Sequence, residues 1–163
     1  MDKFIITMHP FAGTAAKQWG LDKFRELASK ILGAKKNAVI FITGGPQDRI
    51  YADQFGFGER TFNAIGLKFA PTISLLKRCG MFIGNDSSLQ YFAAYQGVKT
   101  CVIYGYTLNP MRWKPKVDPA NIEVFSKPAG CGPCELPECV RKTHECMDMI
   151  TVDEVYRAVE KWL

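Results

Sequence analysis

The chain has 163 residues, 47% hydrophobic and 23% charged. These are the proportions of one ordinary folded domain, and they exclude a disordered tail, a collagen-like chain and a coiled coil. Twenty-one basic against 16 acidic residues leave a net charge of +5. That mild excess suits an anionic ligand, and with no dense Lys/Arg stripe it speaks against a nucleic-acid partner.

No apolar run nears the ~18 residues that span a bilayer. Met1-Asp2-Lys3-Phe4 does not open a signal peptide. The pairs Lys35-Lys36, Lys77-Arg78 and Arg141-Lys142 read as solvated faces or helix ends.

In chain order, short β-rich runs alternate with helical periods. Phe4–Met8 predicts a first buried strand, stopped by His9-Pro10. Leu21, Phe24, Leu27, Ala28, Ile31 and Leu32 recur at helical spacing, with Gly33 as the expected end. Ala38–Ile42 is a second strand, ended at Gly44-Gly45-Pro46. A helix through Asp48–Gln54 and a third strand within Phe62–Lys68 follow. Pro71 suits a first helical position for a helix reaching Cys79-Gly80. Met81–Gly84 is a strand, and Asn85-Asp86-Ser87-Ser88 opens a helix closed near Gly97. Thr100–Tyr104 and Ile122–Phe125 are further strands. Thr151-Val152-Asp153-Glu154 is a capping box opening a terminal helix over 151–163, with Val155, Val159 and Leu163 on one face.

Alternation of apolar strands with helices implies an α/β domain over 1–163, a parallel sheet with helices on both faces. Thr107–Pro119 and the Cys-rich stretch 127–146 are expected as loops. Ligands of such sheets sit beyond the carboxyl ends of the strands. The first such end carries Gly13, Thr14 and Lys17: small residues admit a backbone close to a ligand, and one ammonium suits a phosphate. It is not a Walker loop, and a surface lysine is the plainer alternative. The second carries Asp86, Ser87 and Ser88, where a helix start offers amides to phosphate and Asp86 can accept sugar hydroxyls or merely cap. The third carries Asp48, a ribose ligand or a turn residue. Together they are spaced for a nucleoside diphosphate. Trp19, Tyr104, Tyr106 and Trp113 fall nearby for base stacking, with packing as the plainer reading. His9 reads as an ordinary hydrogen-bonded histidine.

Four of the six cysteines, Cys131, Cys134, Cys139 and Cys146, fall within one loop. Their spacing suits a tetrahedral structural zinc or iron. Two disulfides or free thiols are the alternatives, and His144 is a substitute ligand or an exposed loop residue. Thiols without a secretion signal imply a reducing cytoplasm.

His9-Pro10-Phe11-Ala12-Gly13-Thr14 with Lys17-Gln18-Trp19 resembles the opening of the C-terminal half of family 9 glycosyltransferases, the ADP-heptose:lipopolysaccharide heptosyltransferases. Phe82–Ser88 with Ala93-Ala94 resembles that family's Asp-Ser/Thr-Gly-x-x-His-x-Ala-Ala signature. Tyr104-Gly105 with Asn109-Pro110, and Cys146-Met147 with Ile150-Thr151, resemble its later segments. Two departures stand out: Ser88 replaces the family glycine and Tyr91 its histidine.

The resemblance implies one Rossmann-like half of a GT-B fold, the half that binds the nucleotide-sugar, with ADP-heptose as donor. Lys17 would meet the diphosphate, and Asp86, Ser87 and Ser88 the phosphate and sugar. Asp48 would hold the ribose, and Tyr91 would stand where the family has its imidazole. The catalytic base and a lipopolysaccharide-core or other glycan acceptor would belong to an N-terminal half. These 163 residues are therefore expected to bind donor without turnover and without a metal for chemistry. They are expected to work in the cytoplasm, the inner face of the membrane included. Alternatives are a non-catalytic nucleotide-binding module, a metal-finger interaction module and a flavodoxin-like phosphate binder.

Overall fold

Apolar runs with no polar alternation can be buried only when both faces of a sheet are covered. Such runs form the strands β1 (Phe4–His9), β2 (Ala38–Gly44) and β4 (Met81–Asn85), and the more polar β3 (Thr61–Ile65), β5 (Lys99–Ile103) and β6 (Ile122–Phe125) complete the set. They pair in one sheet of order β3-β2-β1-β4-β5-β6, every pair parallel. The computed structural model describes residues 2–141 and 143–163. Met1 and Lys142, read above as part of the chain start and of a basic pair, lie outside the described residues.

The helices are α1 (Leu21–Ala34), α2 (Ala52–Phe55), α3 (Phe69–Leu76), α4 (Leu89–Tyr95), α5 (Pro110–Trp113), α6 (Glu145–Asp148) and α7 (Val152–Glu160). Among the described residues no helix is long and apolar enough to cross a membrane.

Register builds the core. Ile6 sits against both Ile40 and Met81, and Met8 against Ile42 and Ile83. This face packs on Phe24, Leu27 and Ile31 of α1 and Val155 and Val159 of α7. The other face packs Phe82 with Leu76, Ala93 and Val98 around α3 and α4. Each side chain so enclosed contributes about 2 kcal/mol of burial before its entropy is counted.

Helix ends depart from the expectations in instructive ways. Gly33 does not stop α1. The helix runs on to Ala34 and Lys35 caps it through Ile31 O. The Arg60 guanidinium then donates to the carbonyls of Leu32 (2.9 Å), Lys35 (3.2 Å) and Lys36 (3.3 Å), so a side chain satisfies the orphan carbonyls that a left-handed glycine would otherwise serve. Gly97, at φ 79°, does end α4 as expected. Its amide reaches Ala94 O and the Val98 amide reaches Ala93 O, a Schellman pair.

Pro71 is the third residue of α3, not the first, a place where its missing amide still costs no intrahelical bond. Asp48–Gln54 is a 3₁₀ stretch, Pro46–Tyr51, followed by the single turn α2. Half of the capping box of α7 forms. Thr151 Oγ1 accepts the Glu154 amide at 3.2 Å, but the Glu154 carboxylate pairs instead with Lys127 at 2.6 Å. The stretch Thr107–Pro119 contains α5, and α6 begins at the end of the Cys-rich stretch.

Candidate functional site

The strand order places β1 beside β4 while their chains leave in opposite directions across the sheet. This is the switch point, where ligands of open α/β sheets bind. β1 ends at His9 and β4 at Asn85, and the segments after both meet. Asn85 is wholly buried. Its Oδ1 accepts the Trp19 amide at 3.1 Å and its Nδ2 donates to Pro10 O at 2.7 Å. One amide side chain thus clamps both ends of the loop that carries Gly13, Thr14 and Lys17.

Within that loop Ala15–Lys17 forms a 3₁₀ turn. It aims Lys17 across the switch point, with Nζ 2.6 Å from Asp86 Oδ2 and side chains 25% and 11% exposed. Asp86 is oriented from behind. Gln90 Nε2 donates to Asp86 Oδ1 at 2.8 Å, and the buried Tyr104 hydroxyl donates to Gln90 Oε1. Burial, with Asp86 adding to it, drives the Tyr104 phenol upward, so it stays a donor. The buried Oγ atoms of Thr14 and Ser87 find no hydrogen-bond partner among the described residues. Unpaired buried hydroxyls cost about 1–3 kcal/mol each, which a ligand oxygen would recover.

The structure thus brings Thr14, Lys17, Asp86 and Ser87 into one neighbourhood. Ser88 lines a hollow of about 250 Å³ with His9, Gly44, Gly45, Phe69 and Thr72. On the other side of the ion pair, Thr14 and Lys17 line a second hollow of about 300 Å³. Gly13 is exposed at the loop crest.

Asp48 is buried beside the first hollow, where its Oδ2 accepts the Gly45 amide at 2.7 Å. Desolvation raises its carboxyl, and the Gly45 amide opposes that. Its turn role is therefore filled. The Tyr91 hydroxyl donates to Trp113 O and its ring stacks on Tyr95, 6.4 Å between centroids.

Among the aromatics, Trp19 and Tyr104 are core residues, and Trp19 Nε1 is spent on Ile150 O at 2.8 Å. The phenyl ring that lines the hollow at Ser88 is Phe69, 62% exposed at the start of α3. Sequence reading missed it, because only the fold brings α3 to the β1–β2 strand ends. His9 is buried, with Nδ1 3.0 Å from Thr43 O, and desolvation lowers its pKa to about 4. It is neutral at pH 7 and cannot be the cation that meets a phosphate.

Cys146 is buried, while Cys134 and Cys139 are half-buried and Cys131 exposed. All are free thiols. Burial pushes the Cys146 thiol up, the Tyr106 backbone opposes this, and Cys131, Cys139 and Cys134 add to it. Cys146 thus lies near enough to feel the other three. Among the described residues no three side chains of the metal-binding types stand in ligating arrangement. The same segment braces the lysine turn: the Ala16 amide donates to Pro137 O at 3.0 Å, and His144 Nε2 lies 3.1 Å from Ala16 O.

Residues 1–144 match the family model described as glycosyltransferase family 9 (heptosyltransferase). Two strains of Campylobacter jejuni each have a lipooligosaccharide heptosyltransferase 2 that is 24% and 25% identical, over 98% and 99% of this chain and 51% of their own length. The chain thus spans about half the length of these relatives. The fold is shared with the E. coli ADP-heptose LPS heptosyltransferase II, at a TM-score of 0.79, 19% identity, 99% of this chain and 46% of that one. It is also shared with TibC of enterotoxigenic E. coli, described as a dodecameric iron-containing heptosyltransferase in complex with ADP-D-β-D-heptose. That match has a TM-score of 0.70, 16% identity, and covers 99% of this chain and 45% of that one.

Proposed function

The chain belongs to glycosyltransferase family 9, the heptosyltransferases, and from that premise we propose that its strand ends hold the nucleotide-sugar donor of an inverting sugar transfer. The observation that carries this reading is the Lys17–Asp86 pair across the switch point, flanked by the unpartnered Thr14 and Ser87 hydroxyls. In this reading the Lys17 ammonium meets the diphosphate, and the Thr14 and Ser87 hydroxyls donate to its oxygens. Asp86, freed from part of its pairing, accepts sugar hydroxyls. The hollow at Phe69, Gly44 and Gly45 takes the base, with Asp48 at its ribose edge.

Charge accumulates on the departing diphosphate as the glycosyl bond breaks. A lysine held at the switch point stabilises that charge, and in this reading no divalent metal is needed for the chemistry. A base on a second domain takes the proton of the acceptor hydroxyl, a lipopolysaccharide-core or related glycan. The donor we propose is ADP-heptose, the ligand class that related structures hold. Six free cysteines suit a reducing cytoplasm.

For the Cys-rich stretch we propose a structural zinc or iron held by Cys131, Cys134, Cys139 and Cys146. Four thiols are the donor types that hold such an ion, and a relative of the same fold contains iron, although the four do not stand in ligating arrangement in this structure. Bound there, the ion would fix the loop that braces Ala16. Metal analysis of protein prepared under reducing conditions tests it, and absence of both metals refutes it.

The donor reading is tested by titration calorimetry with ADP. Saturable binding below millimolar concentration is expected. No binding up to millimolar ADP overturns the reading.

A further inference from the structure

The geometry points to a sugar-selecting wall built by the Cys-rich segment, with Glu135 as the residue that reads the glycosyl group. This inference rests on the donor reading above and extends it to the Cys-rich segment. Two hollows flank the Lys17–Asp86 pair. The one on the β1–β2 side contains the Phe69 ring and the glycine turn, whose Gly45 amide donates to Asp48. If the base and ribose lie there and the diphosphate lies at Lys17, whatever is esterified to the far phosphate must enter the other hollow.

That second hollow is lined by Thr14, Lys17, Thr107, Leu108, Glu135 and Leu136 and measures about 300 Å³. Its chemistry is wrong for another phosphate, since Glu135 would repel one. It is right for a neutral polyol. The Glu135 carboxylate accepts hydroxyl protons, the Thr14 and Thr107 hydroxyls face both donors and acceptors, and Leu108 and Leu136 offer apolar surface to a ring's C–H face. Thr14 Oγ1 is buried with no partner among the described residues.

The wall is also pinned in place. The Glu135 amide donates to Thr107 O at 2.9 Å, and the Cys134 amide to Tyr106 O at 3.3 Å. Gly132 lies so close to Tyr106 that a Cβ there would stand 2.5 Å from its carbonyl oxygen, and one at Gly105 would stand 2.5 Å from Ala16 O. Three segments, 14–17, 105–108 and 132–137, are thereby locked edge to edge. Glu135 itself is held at φ 53°, a left-handed conformation that a glutamate rarely adopts. Glu135 lines the hollow from this fixed backbone position.

The test compares ADP with ADP-D-β-D-heptose by calorimetry on the wild-type protein and on two variants. Glu135→Gln keeps size and backbone preference but removes the charged acceptor. Leu136→Trp, at a position 39% exposed, fills the hollow without entering the core. Each is expected to weaken the sugar nucleotide about tenfold, the order of one charge-assisted hydrogen bond or more, while ADP stays within about twofold. If both variants bind both ligands as wild type does, or lose both equally, the wall plays no part in sugar selection, and the donor reading stands on the wild-type ADP titration. If wild type binds neither ligand, the donor reading falls and takes the wall with it.

Discussion

Asn85 and Trp19 are 66 residues apart in sequence and are joined by one hydrogen bond, the Trp19 amide to Asn85 Oδ1 at 3.1 Å. With the Asn85 amide on Pro10 O, this bond ties the lysine loop to the end of β4. Asn85→Ala would leave a buried N–H and a buried C=O unpaired, at roughly 1–3 kcal/mol each. Urea unfolding should show a loss of about 2–4 kcal/mol, and ADP affinity should fall with it because Lys17 loses its footing. A variant with unchanged midpoint would show that the clamp contributes nothing.

Lys17→Ala separates binding from folding. The Lys17–Asp86 pair is partly solvated, and such pairs contribute little to stability, about 0–1 kcal/mol. The ammonium's contact with a diphosphate is charge-assisted and worth more, and its removal also leaves Asp86 repelling the phosphate. ADP affinity should fall about 10- to 100-fold with the melting temperature nearly unchanged. Lys17→Arg should recover only part of the loss, since a planar fork does not fit a site shaped for a compact ammonium. Equal ADP affinity in wild type and Lys17→Ala would remove the lysine from the site.

The relay behind Asp86 makes a finer prediction. Gln90→Leu removes the donor to Asp86 Oδ1 and leaves the Tyr104 hydroxyl only Trp113 O, at 3.2 Å. Affinity for ADP should drop about three- to tenfold, roughly the worth of one hydrogen bond. Tyr104→Phe should do less, because the Gln90–Asp86 bond survives. If Tyr104→Phe proved worse than Gln90→Leu, the order of the relay would be wrong.

Much of this was legible before the fold. Strand runs such as Ala38–Ile42 carry their own burial pattern, and Lys17 and Asp86 stood out as isolated charges at strand ends. Their convergence is a property of strand order, which no local pattern encodes. Phe69 stayed hidden for the same reason: an exposed aromatic at a helix start has meaning only once that helix abuts Gly44 and Gly45. Gly33 misled because the signal for a helix stop is local, whereas the actual cap, Arg60, arrives from the residue just before the edge strand. Glu135 was masked by the cysteines around it, whose spacing drew the attention.

Arg60→Ala should expose how much that remote cap contributes. It frees three carbonyls at the end of α1, partly rehydrated because the helix end is near the surface. A loss of about 1–2 kcal/mol is expected in urea unfolding, the scale of a lost helix cap. ADP binding should be unaffected, since Arg60 precedes β3 at the end of the sheet remote from Lys17. An effect on ADP would mean the two ends of the sheet are coupled.

His9 sets the acid limit of the fold. Its imidazole is buried and hydrogen-bonded to Thr43, and desolvation lowers its pKa from 6.5 to about 4. Between those values the unfolded chain binds a proton that the folded chain refuses. Stability therefore rises with pH through this window and is lost as pH falls from about 6.5 toward about 4. Below that the folded form protonates too and the loss levels off. The full difference is of the order of 3 kcal/mol. His9→Gln keeps a donor for Thr43 and has no proton to take up. Its melting temperature, followed from pH 7 to pH 4, should fall less steeply than that of wild type. Parallel curves would mean that His9 is not what limits the fold in acid.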